Sequence, residues 1–342
     1  MTMGLANTIT TALALATVAG AQALPEGVTP VTRVAIDRGL AWLASCQDGD
    51  GSWRNAGGGG DHSVAMTALA GMAFVAAGST PTRGRFWRQV RSAVEYLAEC
   101  SDPDTGLIHA VGESVPMFGH GFATLLLGSI YGMEADLRTQ RKLKQVLDRA
   151  VGLTAAAQST AGGWIYTPNA NDDEGSVTVT QMQALRACRM AGIVVDKRTI
   201  DRGVDYVRRS QNPDGGIRYR VSGPPESRPA ITAAGVAVFY NAGIYDDADF
   251  VAAAARFCER TIRVRVDTTG HHYYTHHYWS QALYQRGGPE WLDYYTAIAS
   301  WLCEQQRPDG SWNGDSVGPI YGTAVALTIL QLPYALVPIY QR

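Results

Sequence analysis

The chain has almost no net charge: 29 basic residues stand against 31 acidic ones in 342. So even a balance carries no electrostatic footprint for nucleic acid, and none is expected as a partner. Cysteine is scarce, five residues with no CxxC pair, which removes the usual thiolate metal sites and redox motifs. The odd count and the length of the chain also argue against a disulfide framework. Cys46 and Cys100 fall at the ends of two successive apolar segments, where a small buried side chain fits; packing is the role expected of all five. Apolar runs long enough to span a bilayer are missing as well. The apolar stretch over residues 9–20 is too short to do so.

That stretch is followed by Ala21-Gln22-Ala23, a small-x-small cleavage pattern. Residues 1–23 therefore read as a secretory signal peptide, although no Lys or Arg precedes the apolar run. The expectation is an extracytoplasmic protein, periplasmic or secreted, with a linker over 24–33 and one domain over 34–342.

What the chain does have is an internal repeat. An aromatic, a Gln five residues on and a Gly four beyond that occur as Trp42/Gln47/Gly51, Tyr206/Gln211/Gly215 and Trp301/Gln306/Gly310. Residues 158–164 keep the second half of the phrase, residues 96–107 keep the aromatic and the Gly, and residues 257–270 hold a worn copy. Copies spaced by roughly fifty residues mark a repeat array, in which one domain extends by stacking.

Each repeat holds two helical segments. Before the turn, residues 31–46 set Val34, Leu40, Leu43 and Ala44 on one face against Arg33, Asp37 and Arg38, the pattern of an outer helix with one wet side. After the turn, residues 63–78 are apolar all round, as are 122–132, 231–243 and 321–332, the pattern of buried helices. Six of each predict an all-α double ring, an inner barrel of six helices sheathed by six outer ones.

Residues 38–53 match every position of the phrase basic-Gly-x-x-aromatic-aliphatic-x-x-x-Gln-x-x-x-Gly-x-Trp. This is the Q-W motif, and on it the chain resembles the prenyltransferase and squalene-cyclase (terpene cyclase) repeat proteins. The resemblance implies an (α/α)6 toroid with a central cavity that takes an isoprenoid-type lipid. It also implies, in the squalene-hopene branch, a D-x-D-D acid that protonates an alkene. That motif is absent here; its place reads Glu174-Gly175-Ser176-Val177. The D-D-x-x-D/E pattern is absent too. The protein prenyltransferase branch implies zinc held by Asp, Cys and His, but the cysteines fall away from the expected mouth.

In a toroid the N-termini of the inner helices gather at one mouth. The sequence sets Asp61-His62-Ser63, Gly119-His120-Gly121, Asp172-Asp173-Glu174, Arg228, Tyr274 to His277, and Tyr321 there. His62, His120, Asp173 and Glu174 are the candidate proton donors. Asp61, Arg228, Tyr273, Tyr274, His276, His277, Tyr278, Trp279 and Tyr321 are the candidate ligand-lining residues. Ser63, Asp61 and Glu174 also have the chemistry of helix caps. His120 stands between two glycines that would open the backbone around its ring. The histidines of residues 269–279 lack a third ligand of metal-site spacing, so no metal and no cofactor is expected.

Three functions follow. One is a cyclase-like or isomerase-like enzyme on an isoprenoid lipid in an apolar cavity. Another is a non-catalytic toroid that binds a ligand or a protein, and a third is a secreted polysaccharide lyase or hydrolase. The expected partner is an apolar or amphipathic small molecule, with no obligate protein partner; the C-terminal stretch 332–342 is expected to pack back on the ring and close it against the first repeat, with peripheral contact with a membrane as the alternative.

Overall fold

The computed structural model describes residues 23–55, 62–244 and 249–341. The stretch read as a signal peptide, apart from Ala23, and Asp61 lie outside these residues. Among the described residues the chain forms twelve α-helices in six hairpins. The outer helices are α1 (Pro30–Ser45), α3 (Trp87–Glu99), α5 (Leu137–Ala156), α7 (Lys197–Arg209), α9 (Phe250–Thr261) and α11 (Pro289–Gln305). The inner ones are α2 (Ser63–Ala76), α4 (Pro116–Ile130), α6 (Gly175–Met190), α8 (Pro229–Asn241), α10 (His272–Arg286) and α12 (Pro319–Gln331).

The inner helices touch in ring order, and α12 returns to α2, so the barrel closes. Composition explains the two layers. Every residue of α2 is buried. On α3 only Val90, Ala93, Val94, Leu97 and Ala98 are, spaced by three and four, while its arginines face water. Proline at the first helical turn starts α1, α4, α8, α11 and α12 without loss of a hydrogen bond.

The recurrent Gln-to-Trp turn staples neighbouring hairpins. The Gln47 amide donates to Gly51 O in its own turn and to Gln89 O of α3, both at 3.0 Å. Gln158 does the same to Gly162 and Thr199, Gln211 to Gly215 and Phe250, and Gln306 to Gly310 and Ala35. The last of these joins the sixth hairpin to the first and so locks the ring. Trp53, Trp164 and Trp312 turn their indole N–H back to Leu43, Thr154 and Leu302, each at 2.7 Å. Their backbone N–H groups donate to Thr67, Thr178 and Thr323 on the inner helices.

Residues near both ends of the described chain pack onto the ring. The segment read as a linker belongs to the fold: Val28 is buried, Gly27 lies against Tyr295, and α1 begins at Pro30 with Thr29 as its cap. At the other end two short 3-10 turns, Leu332–Tyr334 and Pro338–Tyr340, close the barrel opposite the mouth. They reach α6 and α10, the Gln285 amide donates to Ile339 O at 3.2 Å, and Tyr340 is buried beneath Tyr278.

Candidate functional site at the toroid mouth

At the end where the inner helices begin, six aromatic side chains are half-buried: Phe118, Phe122, Tyr166, Tyr219, Tyr274 and Tyr321. Phe118 and Phe122 share one face of α4. The Phe118 ring packs 5.9 Å from that of Tyr166, whose hydroxyl bonds to that of Tyr219. Across the opening Tyr274 packs 4.8 Å from Tyr278, with Tyr321 close by. Together they form a bowl of aromatic faces.

Glu174 lies at its floor and is fully buried. As the cap of α6, its carboxylate accepts from Ser176 N at 2.7 Å, Val177 N at 2.6 Å and the Ser176 hydroxyl at 2.7 and 2.9 Å. The Tyr219 hydroxyl stands beside it and Tyr274 is an electrostatic neighbour. Burial raises the carboxyl above its ordinary range, and the hydrogen bonds only partly oppose this. The result is an acid group joined through Tyr219 and Tyr166 to the rim.

Two further carboxyls at this end escaped the sequence reading. Glu113 accepts from Val64 N at 3.3 Å and from Ala110 N at 3.2 Å, so it caps α2 from the neighbouring repeat. Asp315 accepts from Tyr273 N at 3.0 Å and caps α10 in the same way, held in a left-handed backbone conformation with φ 53°. Burial raises both carboxyls. Each lies in a loop with no motif around it, and only its place across a repeat boundary reveals the role.

The predicted residues divide by position. Tyr274 and Tyr321 line the opening, Tyr278 is fully buried behind Tyr274, and Arg228 lies at the edge, its guanidinium 4.8 Å over the Tyr219 ring. His62 caps the start of α2 without a side-chain bond. Asp173 turns away from the bowl towards the Ser159 hydroxyl, at 3.4 Å, and Tyr206 of α7. Its neighbour Asp172 goes the other way, to Arg220 at 2.7 Å, so the two aspartates do not converge.

His120 is not at the mouth. The sequence starts the inner helix after Gly121, yet α4 begins at Pro116 and carries His120 into its second turn. The flanking glycines are there for packing: a Cβ at Gly119 would come 3.1 Å from Val64, and one at Gly121 would come 2.6 Å from Thr180. The ring is fully buried and faces α5. Nδ1 accepts from Ile108 N at 3.2 Å and Nε2 bonds to the Thr154 hydroxyl at 3.0 Å. His120 thus takes the structural place of Thr67, Thr178 and Thr323 in the other repeats. His276 is likewise turned outwards, 2.7 Å from the Tyr294 hydroxyl of α11, and Tyr273 packs on Trp301. Trp279 is part of the hydrophobic core. His277 is buried with neither ring nitrogen partnered.

The lumen below the bowl is polar and bridged, a correction to the apolar central cavity expected from the small residues of the inner helices. Gln183 of α6 donates to Gln281 of α10 at 2.8 Å, across the ring past α8. Tyr278 rests on Thr180 above this bridge and Tyr340 below it. Gln183 Oε1, Gln285 Oε1 and the Tyr278 hydroxyl are buried without partners. Hydrocarbon in that position would leave each of them unsatisfied, at about 1–3 kcal/mol apiece.

Comparison with known proteins agrees with the fold. Residues 2–115 and 148–316 match the prenyltransferase alpha-alpha toroid domain, and the chain belongs to that family. Among solved structures it is similar to a protein from Actinoplanes (20% identity, 89% of this chain and 99% of that one, TM-score 0.60). It is also similar to the type II terpene cyclase MstE from Scytonema (16% identity, 90% and 100%, TM-score 0.60). A third is a GH76 α-mannanase of Bacteroides thetaiotaomicron (11% identity, 89% and 96%, TM-score 0.64). At such identities the likeness is one of fold. No curated protein sequence matches.

Proposed function

We propose that the chain binds a small amphipathic ligand of isoprenoid type in the aromatic bowl and that Glu174 handles a proton there, as in a cyclase or isomerase. The observation that carries this reading is a fully buried carboxyl, raised by desolvation, at the floor of six half-buried aromatic rings. A carboxyl that holds its proton nearer to neutral pH is a usable general acid. Aromatic faces attract a developing cation through their quadrupoles. Tyr219 and Tyr166 supply a path by which the proton is replaced from the rim. The Scytonema cyclase, similar in fold, has been seen with geranylgeranyl dihydroxybenzoate as its substrate. The ligand here sits in the bowl and not deep in the barrel, because the Gln183–Gln281 bridge occupies the lumen.

A hydrolase reading has less support. Glycoside hydrolysis uses a pair of carboxyls flanking the scissile bond, and the adjacent Asp172 and Asp173 point to opposite neighbours.

The test is a titration of the protein with geranylgeranyl compounds by native mass spectrometry, followed by product analysis in deuterated water. Binding, and deuterium in a rearranged product, are expected. Glu174→Gln should keep the ligand while lowering turnover by about 10²–10⁴-fold, the usual contribution of a general acid. Turnover should also fall as pH rises through the elevated pKa of Glu174. A protein that takes up none of these compounds, or full turnover in the Glu174→Gln variant, would overturn the proposal.

A further inference from the structure

The end of the toroid opposite the mouth gathers charge that the sequence total conceals. Arg83 of the α2–α3 loop, Arg88 and Arg91 in the first turns of α3, and Arg141 and Lys142 near the start of α5 fall at this end, and α3 packs against α5. None of the five meets a carboxylate among the described residues. The acids on this arc are already engaged: Glu134 accepts from Gly132 N, Asp136 and Asp196 cap α5 and α7, Asp148 pairs with Lys144, and Asp201 pairs with Lys197. On the opposite arc of the same end, Asp249, Glu290 and Asp293 are exposed instead.

Apolar groups stand out between the basic ones. Leu137 is 71% exposed, Val194 87% and Met190 46%. Trp87 is half-buried, with the Arg88 and Arg91 guanidinium groups 5.1 and 5.0 Å from its ring. Between α6, α7 and α8 the arc holds a small cleft of about 20 Å³, where Arg186 and Arg189 overlie a floor of Met182, Ile200 and Val238.

We infer that this arc is a docking surface for a bilayer rich in anionic lipid. Unpaired cations attract the lipid phosphates, and the exposed leucine, valine and methionine with the half-buried tryptophan suit the boundary between headgroups and acyl chains. A folded acidic protein would satisfy the cations but leave those apolar side chains without a matching layer. Docking by this end leaves the mouth facing away from the membrane, so the inference does not depend on the ligand proposed above.

The experiment is co-sedimentation of the whole protein with vesicles of phosphatidylcholine alone and of phosphatidylcholine mixed with phosphatidylglycerol. Binding to the mixed vesicles only is expected, and it should weaken as salt is raised, because exposed charges are screened. Reversing four charges together (R88E, R91E, R141E, K142E) should lower binding at least about a hundredfold, from the usual contribution of each basic residue near a charged surface. Trp87→Ala should weaken it more modestly. The same variants should melt at an unchanged temperature, which separates lost docking from lost fold. Equal binding to both vesicles, binding that survives the charge reversal, or retention on a soluble polyanion without vesicle binding would each overturn the inference.

Discussion

His120 shows how burial decides the chemistry of a single residue. With no solvent contact, its imidazole is pushed down to about 4 by desolvation, His277 likewise to about 4, and His276 to about 3. All three are therefore neutral in the fold at pH 7. An unfolded chain protonates them near pH 6.5, so the stability they confer is complete above that value. It is lost as pH falls from about 6.5 towards 4. One such histidine is worth roughly 3 kcal/mol by linkage. Thermal melts between pH 7 and 4 should show a steep loss of midpoint that flattens in a His120→Gln variant. His120→Ala should lower stability at pH 7 by about 2–4 kcal/mol, from the cavity and two lost hydrogen bonds. An unchanged midpoint in that variant would return His120 to the list of functional residues. The sequence named this residue and could not place it, since a histidine between glycines looks the same whether the glycines open a loop or admit a neighbouring helix.

Turns are the legible elements. Gly51 adopts φ +91°, and a Cβ there would lie 2.4 Å from Ser92 O of α3, whereas nothing lies within 4 Å of Gly49 in the same turn. Gly51→Ala should destabilise by at least about 2 kcal/mol and Gly49→Ala hardly at all; equal effects in chemical denaturation would contradict the staple described for the turn. The Gln, Gly and Trp of the repeat reveal this geometry because each makes its bonds within a few residues or to the next hairpin. The start of α4 is harder to see because the signal for it, Pro116, sits in an irregular stretch, while Gly119 and Gly121 look like breaks. Likewise α6 and α10 look apolar by analogy with the other inner helices, although Thr180, Gln183, Tyr274, Tyr278, Gln281 and Gln285 recur at helical spacing. That spacing is visible in the sequence; which side of the helix meets the lumen is not.

At the scale of the whole molecule, the barrel is closed by contacts between its first and last hairpins and sealed by the C-terminal turns. Tyr340 and Ile339 occupy the end of the lumen, and Tyr334 lies near Arg33 of α1. Removing residues 333–342 should expose Tyr278 and the bridged glutamines, lower the midpoint by several degrees and admit a hydrophobic dye, whereas a tail that merely lies on the surface would leave both readings unchanged. The basic arc belongs to this scale as well. Residues 83–91 and 138–144 each carry four basic side chains and no acid, and the fold brings these two segments to the same end of the ring.

By itself the sequence determined the number of hairpins, the two layers and the turns that join them. These depend on helical periodicity and on bonds of short range, which a linear pattern records directly. The tertiary structure alone decided that Glu174 rather than Asp173 faces the bowl, that Glu113 and Asp315 cap helices of adjacent repeats, that His120 is a scaffold residue, and that a chain neutral in sum is basic on one arc. Each of these turns on which side of an element meets its neighbour once the ring closes, and on the water that closure removes from a particular side chain.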